Sequence, residues 1–227
     1  MKTTLRLLIA ATLFLSLSQE ALATHNRAGE IYVEQINGCN SNMVRCSIFT
    51  YTKTSSVQAD RDTLTLCWGD ANKTCVQVAR VNGPQPDPTL PPQGQPMDND
   101  VKFNIYIAEF SYDGPGRYTI SVTDPNRNGG IINVNFPGSE NVQFHIQTTF
   151  TLFNGQFQGC NSSPLLLQPP IDYACVGEVF VHNPNAYDAD GDQLTYELIV
   201  PLQSVNSPVP NYSFPQNVNG NGGCGLD

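Results

Sequence analysis

Apolar and polar residues alternate along much of this chain. An apolar side chain occupies about every second position in four stretches, which are residues 63–68, 101–107, 117–122 and 142–147. Successive side chains of a strand point to opposite faces, so a period of two predicts strands with one buried face. In the second stretch this predicted buried face consists of Val101, Phe103, Ile105 and Ile107.

Helical patterns are nearly absent, because 18 glycines and 17 prolines are scattered through the sequence and no window sustains an apolar period of 3.6 residues. The proline-rich residues 82–92 cannot pair in a sheet and predict a long exposed loop. Short strands separated by turn residues are typical of antiparallel sandwiches. The predicted fold class is all-β, with tandem antiparallel β-sandwiches.

The first 23 residues have the pattern of a signal peptide. Lys2 and Arg6 precede the apolar run 7–15, and Ala21-Leu22-Ala23 has the small residues that signal peptidase requires. We expect cleavage before Thr24 and export of the mature chain; an uncleaved N-terminal anchor is the alternative. No later segment is long and apolar enough for a membrane span.

Two breaks in the alternation suggest how the mature chain is divided. The alternation of apolar and polar residues stops after Phe153. A stretch without clear periodicity follows and ends at Pro169-Pro170. We therefore predict a first domain at 24–153, a linker at 154–170 and a second domain at 171–227. The second domain is expected to be truncated at its C-terminus.

The charge and the cysteine content narrow the possible functions. The formal net charge is −9, which disfavours nucleic acid and anionic membranes as partners. Seven cysteines lie in the exported part, where an oxidising compartment favours disulfides. None has Cys-x-x-Cys spacing, so a zinc site is not expected.

The spacing of Cys67 and Cys75 fits a hairpin closed by a disulfide. If they face each other, antiparallel pairing sets Leu66 against Val76 and Leu64 against Val78, with both apolar pairs on one face. The same logic makes Cys39 and Cys46 a weaker candidate pair. Cys160 and Cys175 are further disulfide candidates, and the pairing among these two and Cys224 stays open. Free cysteines in the core are the alternative for each pair.

Two stretches, 66–70 with the sequence Leu-Cys-Trp-Gly-Asp and 110–122, resemble the polycystic-kidney-disease (PKD) repeat, an immunoglobulin-like sandwich. The resemblance implies that Trp68 lies on the core face and that Gly69-Asp70 forms a turn. We expect the Tyr112 hydroxyl to tie a corner of the sandwich. A ligand surface around Trp68 and Asp70 is the functional alternative.

A wider resemblance covers most of the mature chain. Residues 24–31, 60–64, 124–131, 169–177 and 188–196 resemble the N-terminal region of Bacteroidetes surface proteins that carry a gliding motility-associated C-terminal domain. The resemblance implies a PKD-like module at 24–153 and a cadherin-like module at 171–227. It also implies type IX secretion and a place on the extracellular face of the outer membrane, within a longer protein.

Asp188, Asp190 and Asp192 are the candidate metal ligands. Carboxylates at alternate positions of a turn can converge on one hard cation, and calcium is the expected cofactor. The spacing is not that of an EF-hand, since Gln193 and Ile199 occupy positions that need Gly and Glu. The alternative is an acidic turn that leads into a strand from Leu194 to Val200.

No catalytic motif is present, and His25, His145 and His182 are expected at surface or edge positions. The sequence therefore predicts a non-enzymatic surface protein for adhesion or structure, associated with gliding or attachment. Its expected partner is a cell-surface polysaccharide or protein. The alternative is an accessory carbohydrate-binding region of a secreted polysaccharide-degrading enzyme.

Overall fold

A computed structural model describes residues 26–125, 127–170 and 179–217; the predicted signal peptide lies outside them. The strands are β1 (Asn26–Gln35), β2 (Met43–Lys53), β3 (Thr63–Cys67), β4 (Cys75–Ala79), β5 (Gln95–Pro96), β6 (Val101–Ser111), β7 (Gly116–Asp124), β8 (Phe144–Leu152), β9 (Leu165–Leu166), β10 (Ala186–Tyr187), β11 (Leu202–Ser204) and β12 (Ser207–Pro208). A short helix within the described residues, α1 (Gly155–Gln158), follows β8. Three 3₁₀ turns lie at Val57–Ala59, Ser139–Asn141 and Pro215–Asn217.

Two four-stranded antiparallel sheets share a hydrophobic core, as the all-β prediction requires. The first sheet has the order β1-β2-β6-β5 and the second has the order β4-β3-β7-β8. The core includes Trp68, Tyr106 and Phe150, each about 1% exposed. The alternating residues thus bury one face of each sheet against the other.

The β3–β4 hairpin has the register inferred from its cysteines. Cys67 pairs with Cys75, Leu66 with Val76 and Leu64 with Val78, and a disulfide joins the two cysteines. The turn region begins at Gly69, whose φ of +68° lies in the left-handed region. A Cβ at this position would overlap the Thr119 carbonyl oxygen, so both backbone angle and space favour glycine.

The prediction for the faces of β6 is wrong. Tyr106 is buried and Asn104 is fully buried, whereas Ile107 is 42% exposed. Phe103 and Ile105 are only partly buried and lie on the outer face of the first sheet. The reason is that β6 carries apolar residues on both faces: Tyr106, Ala108 and Phe110 pack into the core, and Phe103, Ile105 and Ile107 lie on the outer face. Of the four residues predicted to be buried, Val101 is buried, with 1% exposed.

A buried polar network occupies the end of the core beside Asn104. The Arg80 guanidinium donates to Asp60 at 2.9 and 3.1 Å and to Asn104 Oδ1 at 2.9 Å, and Lys102 Nζ lies 2.7 Å from Asp60. Burial acts to raise the pKa of Asp60, but the hydrogen bonds and charges of Arg80 and Lys102 outweigh it and hold this pKa below its usual value. Polar groups can therefore occupy the inner face of β6 because each has a partner.

The proline-rich segment 82–92 contains no strand and is largely exposed, as predicted. The segment from Leu194 to Val200, in contrast, is not a strand in the structure, so that prediction is wrong. Tyr196, Leu198 and Ile199 are each at least 60% exposed. Within the described part of 179–217 the strands have two or three residues each, and a second sandwich stays a prediction.

The C-terminal region is tied to the first sheet by several contacts. A disulfide joins Cys39 to Cys160, and Gly155 lies so close to the Cys39 carbonyl that a Cβ would not fit. Ser163 N donates to Val33 O at 2.8 Å, and Val33 N donates to Ser163 Oγ at the same distance. A small second core brings Val209 against Val134 and Val142.

Candidate functional site

The three predicted calcium ligands are separated in the structure. Asp188 Oδ1 accepts hydrogen bonds from the backbone N of Asp190 and of Asp192, each at 3.0 Å. Asp190 Oδ2 accepts from Ser162 N and Ser162 Oγ, each at 2.6 Å. Among the described residues no group of three acidic, histidine or cysteine side chains is placed to hold a metal. The acidic turn is thus ordered by hydrogen bonds, and calcium binding stays a prediction.

One of the two disulfides predicted from spacing, Cys39–Cys46, does not form in the structure. Cys39 is bonded to Cys160 and not to Cys46, which corrects the expected local pair. Cys46 is a free thiol with no exposed surface, because its side chain faces the core from β2. Burial raises the pKa of the Cys46 thiol to about 12. Cys175 and Cys224 lie outside the described residues.

The surface proposed around Trp68 and Asp70 is not a ligand surface. Trp68 is 1% exposed and stacks on Phe110 with ring centroids 4.9 Å apart. The Tyr112 hydroxyl donates to the Trp68 carbonyl oxygen at 2.7 Å, which is the predicted corner tie. The Asp70 carboxylate accepts from Thr74 N at 2.6 Å and from Thr74 Oγ1 at 2.7 Å, so it stabilises the turn before β4.

The two described histidines differ in their surroundings. His145 lies on β8, an edge strand of the second sheet, as predicted, and its side chain is buried, with 7% exposed. Its Nδ1 lies 2.7 Å from Thr123 Oγ1 and its Nε2 lies 3.1 Å from Gln147 Oε1. His182 is exposed, as expected. Both ring nitrogens of His145 are therefore occupied by hydrogen bonds.

Motifs that are distant in sequence meet at one end of the sandwich. Arg61, from the 60–64 stretch, lies 2.9 Å from the Asp124 carboxylate of the 124–131 stretch. Asn26, from the 24–31 stretch, bridges to Arg127 through the backbone. These residues hold the end of the core together, so their proximity indicates a structural role.

The strongest candidate site lies on the outer face of the first sheet. Phe49, Tyr51 and Phe103 form an apolar cluster there, which we call the aromatic patch. The ring centroid of Phe103 lies 5.1 Å from that of Tyr51 and 5.9 Å from that of Phe49. The strand register produces this cluster, because Tyr51 of β2 pairs directly with Phe103 of β6.

A short segment beside the aromatic patch, Leu165–Leu167, forms the wall of a cavity. The cavity has a volume of about 320 Å³ and its lining includes the aromatic patch, Met97, Leu165–Leu167 and Glu30. Leu166 N donates to Glu30 Oε2 at 3.1 Å. This hydrogen bond attaches the segment to β1 at the edge of the patch.

A second cavity lies on the other side of Leu166. Its volume is about 450 Å³, and its lining includes Ile31, Ile146 and Thr148 on one side and Ile199, Pro201 and Leu202 on the other. Glu30 and Leu166 line both cavities. We call the two cavities together the Glu30 cleft; each has the size of an ordinary small-ligand pocket.

Glu30 is the carboxyl group common to both halves of the cleft. It is partly buried, and burial raises its pKa above the usual value, although the hydrogen bond from Leu166 lowers it in part. Burial, together with the nearby Glu30 charge, also raises the pKa of Tyr51 to about 12. The site is therefore an apolar cleft with one acidic group at its centre.

The sequence contained a signal for this site that the alternation analysis missed. Ile48 and Phe49 are consecutive apolar residues of β2, so this strand is apolar on both faces. A strand of this kind predicts cover on both sides of the sheet. Glu30 itself carries no local signal, since its position beside Leu166 depends on the fold of distant residues.

Comparisons with protein-family models, with curated proteins and with solved structures each found no match to this chain. The membership in gliding-associated surface proteins therefore stays a prediction from the sequence motifs. In the described residues, no helix has the length and apolar character to cross a membrane.

Proposed function

We propose that this chain is the binding part of an exported cell-surface adhesion or structural protein, and that the Glu30 cleft is its ligand-binding surface. The observation that carries this proposal is the apolar cleft, which consists of the cavity over the aromatic patch on the outer face of the first sheet and the adjoining cavity beside β1 and β8. The aromatic patch lies outside the core, which the opposite face of the first sheet supplies, whereas Ile31 and Ile146 of the second cavity also pack in the core. Clefts with apolar walls and few polar groups are the usual form of ligand sites.

The groups in the cleft support binding without catalysis. Hydrolysis of a glycosidic bond ordinarily needs a pair of carboxyl groups, and among the described residues that line the cleft Glu30 is the only one. His145 also lines it, but Thr123 and Gln147 occupy its ring nitrogens. The cleft thus lacks a second acid or base that is free to exchange protons with a ligand.

The aromatic patch also favours the second candidate, an accessory carbohydrate-binding region. The C–H faces of sugar rings pack well against aromatic side chains, and Phe103 is partly exposed in the cleft. The two candidates share a polysaccharide ligand and differ in the protein to which the region belongs.

Affinity electrophoresis of residues 24–227 in gels that contain neutral, acidic or amino-sugar polysaccharides tests the proposal. We expect at least one polysaccharide to retard the protein, and we expect Phe103→Ala to lose the retardation. Ile107→Ala is the matched control, because Ile107 is an exposed apolar residue of the same strand that does not line the cleft. Unchanged migration in every gel would contradict a polysaccharide ligand.

A further inference from the structure

Among the described residues that line the cleft, the basic side chain is His145, and its two ring nitrogens are hydrogen-bonded to Thr123 and Gln147 and not to Glu30. The described residues that line both cavities include no lysine and no arginine. The polar contact of this carboxyl in the structure is the hydrogen bond from Leu166 N. A partly buried carboxylate without a counter-ion loses hydration that the protein does not replace with a charge.

We infer that the Glu30 cleft binds saccharides that carry protonated amino groups. This inference rests on the proposed function and adds the chemistry of the ligand. An ammonium group next to Glu30 would supply the missing positive charge through a charge-assisted hydrogen bond. Acidic saccharides would instead place a second negative charge beside Glu30, in a protein whose net charge is already −9.

The walls of the cleft suit the rest of such a ligand. On one side of Leu166 the ligand would meet Phe103 and the other aromatic rings, and on the other side Ile146, Pro201 and Leu202. Because Glu30 lines both cavities, its carboxyl group can be reached by an amino group on a sugar ring in either of them.

An extended peptide with a lysine is a less favoured ligand for this cleft. Peptides of this kind usually bind by adding a strand to a free sheet edge. Here the outer edge of β1 is partly occupied by the chain itself. Ser163 forms hydrogen bonds with both the backbone N and the backbone O of Val33, and Thr148 Oγ1 donates to Ile31 O at 2.7 Å. Few backbone groups on this edge are left for a peptide.

Calorimetric titration of residues 24–227 with two tetrasaccharides tests the inference. One is the β-1,4-linked glucosamine tetramer, and the other is its fully N-acetylated counterpart, which has no charge. At mildly acidic pH, where the amines are protonated, we expect the glucosamine tetramer to bind about tenfold more tightly, as is typical of a hydrogen bond between charged groups.

Glu30→Gln should remove this preference, so that the two tetramers bind the variant with similar affinity. Glutamine keeps an acceptor for Leu166 N, so the variant tests the charge and not the fold, and circular dichroism verifies that the sheets remain. Ile107→Ala again serves as the control and should bind both tetramers as the unchanged protein does.

The other outcomes overturn the inference in distinguishable ways. If both tetramers bind equally, or if Glu30→Gln keeps the preference, the amino group is not recognised although a saccharide site exists. If neither tetramer binds, the inference is wrong, and electrophoresis with other polysaccharides then decides whether the proposed function fails too. Tighter binding of a lysine-containing apolar peptide, lost in Glu30→Gln, would assign the cleft to a protein partner.

Discussion

Leu66 and Leu198 belong to segments with the same alternation of apolar and polar residues, yet their surroundings are opposite. Leu66 has no exposed surface and lies in the core between the two sheets. Leu198 is 60% exposed, in a segment from 193 to 200 that has no strand in the structure. The segment that contains Leu66 is β3, which pairs with β4 on one side and with β7 on the other.

This difference shows that alternation of apolar and polar residues identifies a segment with one apolar face. Whether that face is buried depends on neighbouring strands, which the alternation does not reveal. A strand gains stability from its neighbours and from cross-strand side-chain pairs. Residues 26–152 supply such neighbours in two sheets. The described part of the C-terminal region has only short two-stranded pairs and is held mainly by its contacts with the first region.

The largest expected effect comes from the disulfide that joins the two regions. The Cys39–Cys160 bond closes a loop of 121 residues, and the Cys67–Cys75 bond closes one of 8. In the chain-entropy view, the double variant Cys39→Ser/Cys160→Ser should lose about 5 kcal/mol of unfolding free energy, and Cys67→Ser/Cys75→Ser about 2.5 kcal/mol. Urea unfolding of both oxidised variants measures this. An equal or reversed order would mean that the C-terminal region adds little constraint.

The second prediction uses the two leucines themselves. Leu66→Ala should destabilise the protein by roughly 2–5 kcal/mol, because it leaves a cavity in the core. Leu198→Ala should change the stability by less than about 0.5 kcal/mol, since it removes an exposed side chain. Thermal or urea unfolding checks both values. A large cost for Leu198→Ala would show that the segment 193–200 is buried in solution.

The third prediction concerns the acidic turn. Asp190→Ala removes the acceptor of both Ser162 hydrogen bonds and should cost about 1–2 kcal/mol even in the presence of a chelator. Asp192→Ala is the matched control, because Asp192 contributes its backbone N and no side-chain hydrogen bond within the described residues. If calcium also binds, the melting temperature of the unchanged protein should rise with calcium, and both variants should reduce that rise. No cost for Asp190→Ala would argue against the contact with Ser162.

The smallest effect is the pH dependence from Glu30. Because its pKa in the folded protein is raised above the usual 4.5, the folded state holds this proton more tightly than the unfolded state. The resulting stability is present below pH 4.5 and is lost as the pH rises through the higher, folded pKa. Glu30→Gln should not show this loss, so its stability relative to the unchanged protein should increase between pH 4.5 and neutral. A constant difference across that range would mean that Glu30 is well hydrated.

Much of the structure of residues 26–152 could be predicted from the sequence alone. The register of Cys67 and Cys75 followed from two cysteines and two apolar pairs, because a local hairpin has few alternative registers. The corner tie by the Tyr112 hydroxyl followed from what is general in sandwich folds, whereas its partner, the Trp68 carbonyl oxygen, is given by the structure. These features depend on residues close in sequence or on a recurrent corner.

The features that were missed depend on contacts between distant residues. The pairing of Cys39 with Cys160 requires the C-terminal region to return to the turn between β1 and β2, and no local pattern indicates that path. The alternation in β6 predicts the outer face as the inner one, because Phe103 looks like a core residue when the segment beside it, Leu165–Leu167, is far along the chain. The Glu30 cleft is built from the same distant contact.

The burial of Cys46 has a consequence for how the disulfides are sorted. Cys46 is nearer in sequence to Cys39 than Cys160 is, so an unfolded chain would bring the wrong pair together more often. Once β2 is packed into the core, the Cys46 thiol has a pKa of about 12 and almost no thiolate at neutral pH. Exchange requires a thiolate with access to the disulfide. Burial in the core therefore prevents the Cys46 thiol from taking part in disulfide exchange, and this protects the Cys39–Cys160 disulfide after it has formed.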